Sequence, residues 1–157
     1  FLPKVKLKKK YINLNDTLSH IRLQVAEGIP YAQNNIPQFF NPIDLYYWLK
    51  SRITYKSDPP GVELLQSLPT LLKNNFWGKS GLGDCDCFSI AILTMLQTQK
   101  MSCKPWIKLA GRDKLNAVHI WPGVDYKGEE IALDLTNRKP NEERPYKFVQ
   151  KIYFNYL

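Results

Sequence analysis

From Phe88 to Leu96 the chain reads Phe-Ser-Ile-Ala-Ile-Leu-Thr-Met-Leu, apolar nearly all round a helical wheel. A helix of that kind has no face to offer water, so it must lie inside with other elements packed around it. The residues in front of it decide how it begins. Gly81 and Gly83 end the preceding loop, and Asp84 is suited to cap a helix N-terminus. Cys85 then falls in the first turn, where unpaired backbone N–H groups and the positive end of the helix dipole favour an anion. That setting predicts a lowered thiol pKa and an available thiolate, which makes Cys85 the candidate nucleophile.

Two later segments supply what a thiol nucleophile needs. Ala117-Val118-His119-Ile120-Trp121 and Ile131-Ala132-Leu133-Asp134-Leu135 each hold one polar residue inside a strand-like apolar run. His119 and Asp134 on neighbouring strands, facing the helix start, would form a Cys-His-Asp arrangement. Taken singly, each residue has a plainer reading: a buried structural thiol, a satisfied core histidine, and an aspartate bonding local backbone at a strand end. Their joint appearance favours the triad. A tetrahedral intermediate also needs donors for its oxyanion. The backbone N–H of Cys85 is the first candidate, and Gln66 upstream, with Trp77 and Asn75 behind it, supplies the second. Asp84 and Asp86 read as helix-start residues and Cys87 as packing.

The chain resembles the transglutaminase-like (papain-related) cysteine hydrolase superfamily. The likeness is carried by Tyr55, the segment Ser57-Asp58-Pro59-Pro60-Gly61-Val62-Glu63, then Gly83-Asp84-Cys85-Asp86, His119 followed by Ile-Trp, and Asp134-Leu135-Thr136, in the family's order. It covers residues 53–137 and is similar to small bacterial and bacteriophage members. The resemblance implies a papain-like core and thiol-dependent acyl transfer at amide bonds, by a cysteine peptidase, an amidase or a transglutaminase. Its triad would be Cys85, His119 and Asp134, and its substrate a protein or peptide. The chain departs from that subgroup at Cys87, where members often carry a second acid. A non-catalytic structural or binding module on the same fold, for example a bacteriophage virion protein, fits the same residues, because fold does not dictate function.

Composition narrows the rest. At 157 residues, 44% apolar and 13% aromatic, the chain suits one folded domain spanning 1–157. No apolar run reaches the roughly 20 residues of a membrane span, so a soluble protein is expected, and the resemblance implies the bacterial cytoplasm or a virion. The chain begins at Phe1, so an upstream piece is expected, with a signal peptide left open. Three cysteines do not make a disulfide framework. Cys85, Cys87, Cys103 and His119 would count as four zinc ligands, but a Cys-x-Cys pair lacks knuckle spacing, so neither metal nor cofactor is expected. Net charge is +8, and Lys4, Lys6, Lys8, Lys9 and Lys10 lie together near the start. They read either as a solvated arm or as a contact for an anionic partner such as nucleic acid, an acidic polymer or a membrane surface.

Along the chain, residues 1–11 read as a basic arm or an edge strand. A helix runs from Asn15-Asp16-Thr17 to Glu27 and is stopped by Gly28-Ile29-Pro30, and residues 31–42 form a loop. His20 on that helix reads as a surface or packing residue. Pro42 opens an apolar helix that packs on the cysteine helix, and residues 62–67 read as a further short helix. Three strands, 104–111, 114–121 and 129–136, form an antiparallel meander, and residues 147–157 add a last strand. The fold class is α+β, a buried helix with the cysteine at its N-terminus packed on an antiparallel sheet.

Overall fold

The computed structural model describes residues 5–8, 14–57, 62–73, 82–111 and 117–154. In chain order the elements are β1 (Val5–Lys8), α1 (Leu14–Asn35), α2 (Pro42–Lys50), β2 (Thr54–Tyr55), β3 (Val62–Leu65) and α3 (Leu68–Lys73). They continue with β4 (Leu82–Gly83), α4 (Cys85–Gln97), β5 (Lys104–Gly111), β6 (Ala117–Tyr126), β7 (Glu129–Ala132) and β8 (Phe148–Tyr153). The fold is α+β: a four-stranded antiparallel sheet in the order β7-β6-β5-β8, with helices against it.

Helix α4 is the hub, buried from Asp86 through Leu96. Its two polar interior residues are satisfied locally, Ser89 Oγ donating to the Cys85 carbonyl at 2.8 Å and Thr94 Oγ1 to the Ile90 carbonyl at 2.7 Å. One side of α4 packs with Leu45, Tyr46 and Leu49 of α2 and with Leu68 and Leu71 of α3. The other side presents Ile90 and Leu93 to Leu18, Ile21, Val25 and Ile29 of α1 and to Ile107, Leu109 and Ile120 of the sheet. Each fully buried aliphatic side chain here contributes about 1.5–3 kcal/mol of transfer free energy.

Several expected boundaries move, each for a physical reason. Helix α1 runs through Gly28 and Pro30 to Asn35. Pro30 forfeits one ladder hydrogen bond, at a cost of about 3 kcal/mol, but continuing the helix buries Ala32 and Ile36 in the core. Gly28 is a contact residue: a Cβ there would stand 3.0 Å from Thr94 Cγ2, so its absence lets α1 approach α4. Residues 62–65 form strand β3 instead of a helix, because β1 pairs with them antiparallel from Val5↔Leu65 to Lys8↔Val62. Of the two readings of the basic start, the strand is the one found. Lys4, Lys9 and Lys10 lie outside the described residues, as do the Asp58-Pro59-Pro60-Gly61 turn and residues 74–81.

The meander is present, but β6 runs past Pro122-Gly123 to Tyr126. Trp106 lies across Gly123, where any Cβ would collide with the indole. The reversal into β7 is the two-residue turn Lys127-Gly128, with φ of 50° and 78°, the left-handed pair that twist-matched hairpins require. β7 ends at Ala132, so Asp134 lies beyond the strand and not in it. β8 closes the sheet on the far side of β5, from Trp106↔Tyr153 to Gly111↔Phe148. Among the described residues, no helix is long and apolar enough to cross a membrane.

Candidate active site

The site forms where the sheet is incomplete. β7 runs beside β6 only from Gly123 to Tyr126, and the N-terminus of α4 takes the place farther back along β6. Asp84 caps α4, its side chain accepting from the Asp86 N–H at 3.2 Å. Two short parallel pairings, Thr54↔Leu82 and Tyr55↔Gly83, fix the approach to that cap. A side chain at Gly83 would meet Cys87 Cβ at 2.8 Å and Leu71 Cδ1 at 2.9 Å, so the entry admits only glycine. Cys85 is thereby held partly buried against the core cluster that contains Ile120, the residue after His119, whose backbone N–H favours the thiolate form.

His119 and Trp121 flank Ile120, and by strand alternation they stand on the other face from it. There His119 stacks on Trp121, ring centroids 5.4 Å apart, and on Tyr146 at 6.1 Å. Its Nε2 is 2.6 Å from Asp134 Oδ2. Asp134 is 5% exposed. Its other oxygen accepts from the Thr136 N–H at 3.0 Å and the Thr136 hydroxyl at 2.7 Å. Burial pushes the Asp134 carboxyl up, yet the His119 ring and the Thr136 donors outweigh it and hold the group below its ordinary value. An ionised carboxylate can only accept, so His119 carries its hydrogen on Nε2 and leaves Nδ1 as the basic nitrogen.

The loop that carries Asp134 is tied down by α2. The Tyr46 hydroxyl bridges the carbonyls of Asp134 and Asn137 at 3.2 and 2.9 Å, and Lys50 Nζ donates to the carbonyls of Leu135 and Asn137 at 2.5 and 2.6 Å. Burial pushes the Tyr46 phenol up and the Lys50 ammonium down.

No family model, curated protein or solved structure matches the chain. His119 and Asp134 are joined directly, and Cys85 packs against the cluster that contains Ile120, the next residue of β6. The thiol hydrogen, however, is directed at Asp86 Oδ1, 3.7 Å away, and not at the imidazole. Burial, and then the carboxylates of Asp86 and Asp84, push the Cys85 thiol well above its ordinary value. This corrects the expected lowering: two acids at the helix start cancel the dipole that the sequence position suggested.

Gln66 is buried behind the site, its Nε2 donating to the Cys87 sulfur at 3.4 Å. That amide is engaged on the second thiol rather than on Cys85. Trp77 and Asn75 lie outside the described residues. Cys87 is fully buried, with burial and Asp84 pushing its thiol up to about 12. Cys87 belongs to the core cluster between α2, α3 and α4, and Cys103 packs at its margin. Among the described residues, no three His, Cys, Asp or Glu side chains converge as a metal site. Thr136, two places after Asp134, is a spacing that sequence can flag, since a carboxylate commonly accepts from the backbone two residues on. Tyr146, Tyr46 and Lys50 carry no such signal, because they reach the site only through tertiary packing.

Proposed function

We propose that the protein is a cysteine acyl transferase acting on amide bonds, a peptidase or amidase of the transglutaminase-like type with a papain-like core. The observation that carries this reading is the 2.6 Å contact between His119 Nε2 and Asp134 Oδ2, with Cys85 in the first turn of a buried helix and packed against the cluster that holds Ile120, the residue after His119. In the reaction, His119 Nδ1 takes the thiol proton as Cys85 Sγ attacks the carbonyl carbon. The electron pair of the former carbonyl bond moves to oxygen, where the Cys85 N–H is the available donor. Collapse breaks the C–N bond, and His119 returns the proton to the departing amine. Water or a second amine then attacks the thioester, giving hydrolysis or transamidation. Asp134 keeps the imidazole in the required tautomer throughout.

A second reading has its own support. The neutral, Asp86-bonded thiol suits a non-catalytic structural or binding module, such as a bacteriophage virion component, as well as it suits a resting enzyme. One experiment separates them. The purified chain is incubated with a denatured-protein digest, with and without a primary amine, and both peptides and intact protein are followed by mass spectrometry. New termini or amine adducts, together with an acyl mass on Cys85, are expected, and Cys85→Ala and His119→Ala should abolish them. Unchanged peptides with the wild-type chain, or processing that survives Cys85→Ala, would sink the enzyme reading.

A further inference from the structure

We propose that Asp86 is the proton-holding partner of Cys85: its carboxylate takes the thiol hydrogen and keeps the sulfur neutral until an occupant of the site turns the S–H toward His119. The purpose of this device rests on the acyl-transfer reading, but its measurement does not. Asp86 is the residue after Cys85, so its side chain would ordinarily project to a different side of the helix. Instead it is 8% exposed, with Oδ1 3.7 Å from Sγ. Its own N–H is held by Asp84, itself 6% exposed, so the capping hydrogen bond and the thiol contact belong to one rigid turn.

The groups around the sulfur divide unevenly. Asp86 and Asp84 act from α4 and Asp134 from beyond β7, all three disfavouring a thiolate, while the N–H of Ile120 on β6 favours one. Tyr146, ahead of β8, shares the field of Cys85 and Asp134, and His119 stacks beneath it. In such surroundings the S–H bond persists at neutral pH. Activation breaks that bond, passes the proton to His119 Nδ1 and leaves the electron pair on sulfur. Asp86 loses a hydrogen bond and keeps its charge, so no further reactant is required. A preformed thiolate would be open to any electrophile, whereas a held thiol reacts only after the contact is broken.

The test is the pH profile of Cys85 alkylation in the full chain. Short iodoacetamide pulses from pH 5 to 10 are followed by peptide mapping, which reads Cys85 apart from Cys87 and Cys103. The wild-type midpoint is expected above the ordinary thiol value of about 8.5. Asp86→Asn keeps the shape, removes the charge and offers an N–H to sulfur. It should move the midpoint down by about one unit or more, the order expected for losing an adjacent like charge. At pH 7 that appears as roughly tenfold faster labelling of Cys85 alone. An unmoved midpoint, an upward shift, or a wild-type midpoint below the ordinary value overturns the proposal. If Asp86→Asn does not fold, Asp86→Ser is read the same way, and the wild-type profile is decisive by itself against a preformed thiolate. A downward shift in a chain that processes no peptide leaves the proton-holding role standing and removes the enzyme reading. Processing through Cys85 with an unmoved midpoint does the reverse.

Discussion

Replacing Asp134 with asparagine tests the core of the site, because the substitution keeps shape and removes charge. Asp134 accepts two hydrogen bonds from Thr136 on one oxygen, and on the other it accepts one from His119 and a longer one of 3.5 Å from the Asn137 side-chain amide. The asparagine oxygen can retain the Thr136 pair, which turns its NH2 group toward His119 Nε2. Two donors cannot face each other, so the imidazole must move its hydrogen to Nδ1 and can no longer take the thiol proton. Hydrogen bonds to charged groups are worth about 1.5–3 kcal/mol, and at this chain length each kcal/mol is about 2–4 °C in Tm. The charge-assisted bond gives way to a neutral one from the asparagine NH2 to Nε2, so Asp134→Asn should melt lower by at most about 3–12 °C. If the triad is used, turnover should fall on the order of 10⁴-fold, the usual consequence of a wrong-tautomer base.

The pH dependence has a definite sign. The folded-state pKa of Asp134 is depressed, so its contribution is present above the unfolded value of about 3.9 and lost as pH falls through the lower folded value. The gap between wild type and Asp134→Asn should therefore be full at neutral pH and close in acid. Thermal unfolding across pH gives the stability, and imidazole 15N shifts give the tautomer without any need for a substrate. A folded variant that still carries its hydrogen on Nε2, or a gap that persists in strong acid, would refute the reasoning.

Other outcomes follow from the same geometry. Tyr46→Phe should cost about 1–3 kcal/mol in urea unfolding, since two loop carbonyls lose a buried donor; a neutral result would mean that the Asp134 loop is held by Lys50 alone. Gly123→Ala should destabilise by about 1–3 kcal/mol and disturb Trp106 fluorescence, because the new methyl strikes the indole; wild-type stability would show that the ring moves freely. Deleting residues 1–10 should lower Tm by removing the partner of β3 and should weaken salt-dependent binding to a polyanion such as heparin. Unchanged Tm would assign β1 no role in the fold, and unchanged polyanion binding would remove the basic segment as a contact.

What could be read from residues alone was whatever depends on local pattern. The apolar wheel of residues 88–96 demanded a central helix, Asp84 announced its cap, and strand-like runs around His119 and at 129–136 announced the sheet. Boundaries failed where long-range packing outweighed local preference. α1 passes Pro30 because the buried side chains beyond it repay a lost hydrogen bond, and residues 62–65 become a strand because β1 supplies its ladder. Asp134 left its expected strand because the regular ladder stops at Ala132, with Leu133 still bonded to the Pro122 carbonyl and the chain turning just after Asp134. The ionic state of Cys85 was the least legible property. Helix position alone points to a thiolate, but a pKa depends on every charge and on the depth of burial around the atom. Only the folded chain brings the Asp86 carboxylate to 3.7 Å from the sulfur and sets Asp84 and Asp134 within its field.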